Sequence, residues 1–137
     1  MIKNGWLHPP TKIYVAKSRI HGLGVFANED IQEGEVFEIT PLIDVVKSKE
    51  EDLKHEFFYD YRFAYNKEGK TTKLVLALGY GSLYNHSNTP NANWRLNTEL
   101  DMFEFFSVRD IKDGEEIFIY YGNGEYWKAR PYIDYNE

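Results

Sequence analysis

Ten residues of this chain recur eighty positions further on. Phe26-Ala27-Asn28-Glu29-Asp30-Ile31-Gln32-Glu33-Gly34-Glu35 is answered by Phe106-Ser107-Val108-Arg109-Asp110-Ile111-Lys112-Asp113-Gly114-Glu115. The identities are Phe26/Phe106, Asp30/Asp110, Ile31/Ile111, Gly34/Gly114 and Glu35/Glu115, with Ile39/Ile119 beyond them. Each unit reads as strand, bend, glycine turn, strand. Two copies are too few for a solenoid, which stacks at least three units. Either one β-bend is used twice in a sheet-rich fold, or the chain carries an ancestral duplication. Both readings call for a fold dominated by sheets.

The remaining pattern agrees. Strands are predicted over Lys12 to Ala16, Val25 to Ala27, Val36 to Thr40, Thr72 to Leu78, Phe103 to Val108 and Ile117 to Tyr121. Lys67-Glu68-Gly69-Lys70 reads as a hairpin tip, and Phe57 to Tyr65 as a strand or an aromatic loop. One short helix is predicted over Ser48 to Lys54, with Ser48 as its cap and Glu51 as the capping-box partner.

At 137 residues the chain has room for one core, and a single domain over 1–137 is expected. It has no cysteine, which removes disulfides, thiolate metal clusters and cysteine nucleophiles together. Sixteen Lys and Arg against 22 Asp and Glu give a net charge of −6. That sign disfavours direct nucleic-acid binding and suits small molecules or basic peptide segments. The first ten residues lack the apolar stretch of an export signal, and the longest nearly apolar run, Leu74 to Tyr84, is only eleven residues. The expectation is a cytoplasmic protein with no membrane partner. Aromatics reach 17%, led by 11 Tyr, a side chain with an apolar face and a hydroxyl at its tip.

Three segments offer chemistry. In Gly79-Tyr80-Gly81-Ser82-Leu83-Tyr84-Asn85-His86-Ser87-Asn88-Thr89-Pro90-Asn91, Asn85 and His86 follow an apolar stretch and should start from the interior. Buried Asn and His need partners for their polar atoms, from backbone, side chains or a ligand; a capped turn is the plainer reading. His21-Gly22-Leu23-Gly24 lets the backbone approach a ligand closely or simply makes a tight turn. It lacks the third glycine and the downstream helix of a dinucleotide fingerprint. Gly114-Glu115-Glu116-Ile117-Phe118-Ile119-Tyr120-Tyr121-Gly122 places Tyr120 and Tyr121 on opposite strand faces, ahead of an aromatic tail. The four histidines, His8, His21, His55 and His86, are too widely spaced to imply a metal site.

In order and spacing these three segments resemble the SET-domain protein lysine methyltransferases, over a core of about 12–127 with an aromatic tail at 126–137. The chain looks like the minimal prokaryotic or viral form. The resemblance implies a mainly β fold of several small sheets with a C-terminal pseudoknot and few short helices, bringing Asn85-His86 beside Tyr121. It implies S-adenosylmethionine as cofactor and the ε-amine of lysine in a histone-like or ribosomal basic segment as acceptor, with the cell nucleus or a host as the setting of a viral or effector-like form. Carried over by position, His21, Gly22, Leu23 and Gly24 would hold the cofactor's amino-acid end. Asn85 and His86 would contact it, Tyr121 would be the catalytic tyrosine, and Trp127 would pack on the adenine. Tyr80, Tyr84, Tyr59 and Tyr61 are candidates for the lysine-channel wall, together with Ile119.

The composition suits that chemistry. Methyl transfer is an in-line displacement in which positioning dominates, a contribution that reaches roughly 7–11 kcal/mol. The lysine amine, with a free pKa of about 10.4, must first lose its proton. A dry channel beside a sulfonium favours the neutral amine, and tyrosine hydroxyls orient it without the opposing effect of a carboxylate. Aromatic walls also attract methylammonium products.

The chain departs from the family pattern at three places. Many relatives have Asp where Tyr120 stands, and Phe or Tyr where Ile119 stands. An aliphatic residue anchors no water, so transfer of more than one methyl is expected. Many relatives also close the lysine channel with a cysteine-rich zinc segment. Here Tyr126, Trp127, Tyr132 and Tyr135 are expected to supply an aromatic lid instead, with a homodimer as a further way of closing the site. The alternatives to an enzyme are a non-catalytic SET-like module that binds peptide or cofactor, and a tyrosine-rich interaction domain.

Overall fold

The computed structural model describes residues 2–3, 6–44, 62–67 and 71–121. Among these, all regular structure is strand: β1 (Ile2–Lys3), β2 (Trp6–Leu7), β3 (Ile13–Lys17), β4 (Leu23–Ala27), β5 (Val36–Thr40), β6 (Leu42–Asp44), β7 (Arg62–Lys67), β8 (Thr71–Ala77), β9 (Asn85–His86), β10 (Ala92–Asn97), β11 (Met102–Ser107) and β12 (Glu116–Ile119). They form four small sheets, ordered β1-β2, β10-β11-β5, β3-β4-β12-β9 and β6-β8-β7. The expected hairpin is present as β7 against β8, with Lys67 opposite Thr71. The predicted helix over Ser48 to Lys54 lies outside the described residues.

The repeated segment organises two of these sheets. Its copies pair with each other, the strand before each bend lying against the strand after the other. In β4 and β12 Phe26 faces Glu116, and in β11 and β5 Phe106 faces Val36. At the centre Ile31 and Ile111 exchange both backbone hydrogen bonds, each 2.8 Å long. Gly34 N–H donates to Ser107 O and Gly114 N–H to Ala27 O, each at 2.8 Å. Asp110 Oδ1 accepts the Glu33 N–H at 2.8 Å, while Asp30 Oδ1 accepts the Asp113 N–H at 2.9 Å. Within each turn the glutamate closes back, Glu35 Oε1 on Gln32 N–H and Glu115 Oε1 on Lys112 N–H. Burial follows the same sequence of classes over 26–37 and 106–117.

Four of the identities in the repeat thereby acquire a reason, the glutamates closing their own turns. The isoleucines fill the centre, and the aspartates cap the opposite copy's turn. The glycines adopt φ of +84° and +88°, a left-handed conformation that costs an L-residue about 1–2 kcal/mol.

Between the sheets lies an apolar core. β11 alternates along its length, sending Phe103, Phe105 and Ser107 inward. Trp94 packs on Phe103 at 4.5 Å between ring centroids, and Phe63 meets both edge-on at 5.3–5.4 Å. On the site side, Tyr84 stacks on Phe105 at 4.6 Å and meets Phe37 edge-on at 6.1 Å. Tyr84 therefore anchors the turn that leads into β9.

Candidate active site

The site forms where β9 and β12 run parallel, with Asn85 opposite Phe118 and His86 opposite Ile119. Ser87 N–H continues the ladder onto Ile119 O at 3.0 Å. A parallel pair needs a long crossover. Here the crossover is β10, β11 and the second bend.

Asn91 secures the junction from the side. Its carboxamide donates to Glu116 O at 2.9 Å and accepts the Phe118 N–H at 2.8 Å. A buried side chain thus substitutes for a neighbouring strand along β12.

His86 and Tyr121 meet at the end of β12. The Tyr121 N–H donates to His86 Nδ1 at 2.9 Å, and His86 Nε2 lies 3.0 Å from Asn88 Oδ1. An imidazole that accepts at Nδ1 carries its proton at Nε2, so the arrangement describes a neutral ring with one acceptor and one donor in use. The Tyr121 hydroxyl donates to Tyr84 O in a short hydrogen bond. The rings of Tyr120 and Tyr121 lie 5.3 and 5.5 Å from the imidazole. Tyr120, 48% exposed, is the outer of the two.

The glycine turn is tied to the same place. The Asn85 amide nitrogen lies 3.0 Å from His21 O, 3.1 Å from Leu23 O and 2.9 Å from Glu116 Oε2. Its two hydrogens are shared among three acceptors. The Glu116 carboxylate also receives the Ser18 hydroxyl at 2.8–2.9 Å, and Ser18 Oγ accepts the Ile20 N–H at 2.9 Å. Gly24 is required by this crowding: a Cβ there would fall 2.4 Å from Glu116 Oε2. Gly22 differs, with φ of +48° and open space where a Cβ would project. The inner face of the turn is therefore anchored, while His21, Gly22 and Leu23 stay exposed. An open backbone over an anchored polar floor fits the amino-acid end of a cofactor.

Behind the site Glu38 is buried, 1% exposed. It accepts the Tyr84 hydroxyl at 2.5 Å on one oxygen and the Tyr80 N–H at 2.8 Å on the other. Burial pushes its carboxyl up to about 7, against the lowering effect of those two hydrogen bonds. Burial first, and the Glu38 charge next, raise the Tyr84 phenol well above its ordinary value.

Several expectations change in detail. Tyr84, read as a channel-wall aromatic, is a core residue with 1% exposure whose hydroxyl is held by Glu38. Its backbone carbonyl, not its ring, reaches Tyr121. Ile119 is likewise buried in the core, and Tyr80 is half-buried at its margin. Tyr59, Tyr61, Tyr126, Trp127, Tyr132 and Tyr135 lie outside the described residues. Among the described residues no cluster of three or more His, Cys, Asp or Glu could hold a metal.

Sequence reasoning passed over Glu116, Ser18 and Glu38. Glu116 stands beside the repeat's own Glu115 and reads as part of the turn. Glu38 left a usable signal, a lone carboxylate in the β-prone run Val36-Phe37-Glu38-Ile39-Thr40.

Comparison with known proteins agrees with this geometry. A family profile described as the SET domain matches residues 22–122. A histone-lysine N-methyltransferase of Schizosaccharomyces pombe, specific for H3 lysine-37, is 36% identical over 107 residues, spanning 74% of this chain and 67% of that protein. The histone-lysine N-methyltransferase trr of Drosophila melanogaster is 29% identical over 116 residues, 77% of this chain and 4% of that protein. Among solved structures, a Plasmodium falciparum protein assigned as a histone methyltransferase superposes with a TM-score of 0.63 at 36% identity, covering 82% of this chain and 95% of that one. An inhibitor-bound, humanized Polycomb Repressive Complex 2 of Chaetomium thermophilum gives 0.60 at 25% identity, over 84% of this chain and 15% of that one. The matched span opens at Gly22 and closes just past Tyr121, the two ends that the Asn85-His86 segment joins in space, and the chain belongs to the SET-domain family of protein-lysine methyltransferases.

Proposed function

We propose that this protein transfers the methyl group of S-adenosylmethionine to the ε-amine of lysine in a basic, histone-like or ribosomal protein segment. The observation that carries the reading is the junction of β9 and β12, where the Tyr121 hydroxyl, the His86 ring and the Asn85-anchored glycine turn converge. The donor, when bound, supplies a methyl carbon made electrophilic by its sulfonium. His21, Gly22 and Leu23 would hold its amino-acid end above Asn85 and His86, and Trp127 would pack on its adenine.

The rest is done by this chain's own groups. With its proton directed to Tyr84 O, the Tyr121 oxygen keeps lone pairs to accept an amine N–H or to orient the methyl group. It is neutral, so it does not favour the ammonium form as a carboxylate would. His86, neutral and doubly bonded, holds the end of β12 in place and brings no charge beside a cationic donor.

Two features support the acceptor class. The S. pombe relative is named for histone H3, and the net charge of −6 attracts lysine-rich segments.

The test is transfer of labelled methyl to histones, ribosomal proteins and a whole lysate, followed by mass spectrometry of the modified lysines. Label on lysine, carrying two or three methyls, is expected. Donor binding by calorimetry without transfer would replace the proposal with a non-catalytic binding module, and neither binding nor transfer would end it.

A further inference from the structure

Glu38 is a buried ionisable group that the site's chemistry leaves unused. It sits on β5, far in sequence from the Asn85-His86 box, yet each of its oxygens holds the turn that delivers that box. Oε2 accepts the Tyr80 N–H at 2.8 Å, and Oε1 accepts the Tyr84 hydroxyl at 2.5 Å. Gly79 adopts φ of +64° and passes so close that a Cβ would lie 2.7 Å from Oε2. The same Tyr84 presents its backbone carbonyl to the Tyr121 hydroxyl and continues directly into Asn85.

From this geometry we infer that Glu38 is a positioning residue for methyl transfer: by gripping the 79–84 turn at Tyr80 and Tyr84, it fixes the carbonyl that orients the Tyr121 hydroxyl. The inference rests on the proposed role of Tyr121.

The physical reason lies in counting acceptors. An ionised carboxylate accepts two donors, one on each oxygen. A carboxylic acid, or the amide of glutamine, offers one accepting oxygen and turns a hydrogen towards the second donor. The Tyr84 hydroxyl can answer that hydrogen only by rotating to accept it, so either change replaces a charge-assisted bond with a weaker neutral one and loosens the grip on Tyr84. The titratable groups facing the carboxyl among the described residues are Tyr84 and, beyond it, Tyr80. Thr40, on the same face of β5, brings an uncharged hydroxyl that has no hydrogen-bond partner. Among the described residues no cation lies against Glu38, and burial is the largest influence on its titration.

The experiment compares wild type, Glu38→Gln and Tyr84→Phe, and the double variant, for kcat and KM across pH 6–9, with donor affinity by calorimetry and folding by thermal melting. Wild type should show an acid limb inflecting near pH 7 on top of the amine's own titration, and Glu38→Gln should lack it. Glu38→Gln should lower kcat about 10- to 100-fold at pH 8, with donor affinity and KM changed less than threefold. The double variant should be no worse than the more damaged single one, because both act through one contact.

Folded single variants with unchanged kcat and pH profile would overturn the positioning role while leaving the proposed function standing. If Glu38→Gln does not fold, Tyr84→Phe decides, since it keeps the ring and removes only the gripped hydroxyl; an unaltered kcat there overturns the inference. A wild-type protein without transfer would instead refute the proposed function, and this role with it.

Discussion

The backbone N–H of Tyr121 points at Nδ1 of His86, 2.9 Å away, joining the last residue of the described chain to a segment 35 positions earlier. One consequence is a single tautomer: nitrogen-15 shifts of His86 should report an Nε2–H imidazole. His86→Ala leaves the Tyr121 N–H without its acceptor and should cost about 1–3 kcal/mol of stability by chemical denaturation. A ring that reads as Nδ1–H would refute the arrangement.

Tyr121→Phe removes only the hydroxyl directed at Tyr84 O. Methyl transfer should fall about 100- to 1000-fold with the melting temperature little changed. Undiminished transfer would contradict the role given to Tyr121.

Two glycines should fail differently. Gly24→Ala drives a Cβ to 2.4 Å from Glu116 Oε2, displacing the carboxylate that receives Ser18 and Asn85. Donor affinity should drop at least about tenfold, one factor of ten being about 1.4 kcal/mol. Gly34→Ala meets open space but keeps φ near +84°, so it should cost about 1–2 kcal/mol of stability and leave donor affinity intact. Calorimetry and melting on the two variants separate close approach from backbone strain.

Asn91→Ala frees the Phe118 N–H and the Glu116 carbonyl on β12 together. A loss of roughly 2–4 kcal/mol is expected from two buried groups left unpaired. Equilibrium denaturation measures it, and a loss below 1 kcal/mol would mean that β12 is held by its neighbouring strands alone.

Glu38 also links stability to pH. Its folded carboxyl titrates near 7, above its ordinary 4.5, so the unfolded chain releases this proton first as pH rises. The contribution is fully present below about pH 4.5 and lost by the time pH has passed 7, an amount on the order of 3 kcal/mol. Glu38→Gln should flatten stability across that window. An equal pH dependence in both proteins would place the titration elsewhere.

Much of this was legible in the residues themselves. The repeat forecast two bends, their glycine turns and the strands around them, because turn chemistry and β-periodicity are local properties. Val36 to Thr40 is a strand to the residue, while β11 and β12 differ by a residue or two at their ends. Family resemblance carried the order of the glycine turn, the Asn85-His86 box and Tyr121. Tyr84 misled, since an aromatic beside a polar box reads equally well as channel wall or as core, and only the position of Phe105 decides between them.

What the chain determined by itself is a sheet-rich domain with its glycines, aspartates and isoleucines placed for two matching bends. What tertiary structure alone decided is that the bends pair with each other, that β9 meets β12 in parallel, and that two asparagine amides, one imidazole and one buried carboxylate hold the pieces together. Local pattern specifies the conformation of a segment. The partner of a strand or a side chain across dozens of residues is chosen by which closure buries the apolar faces and leaves the interior polar atoms paired.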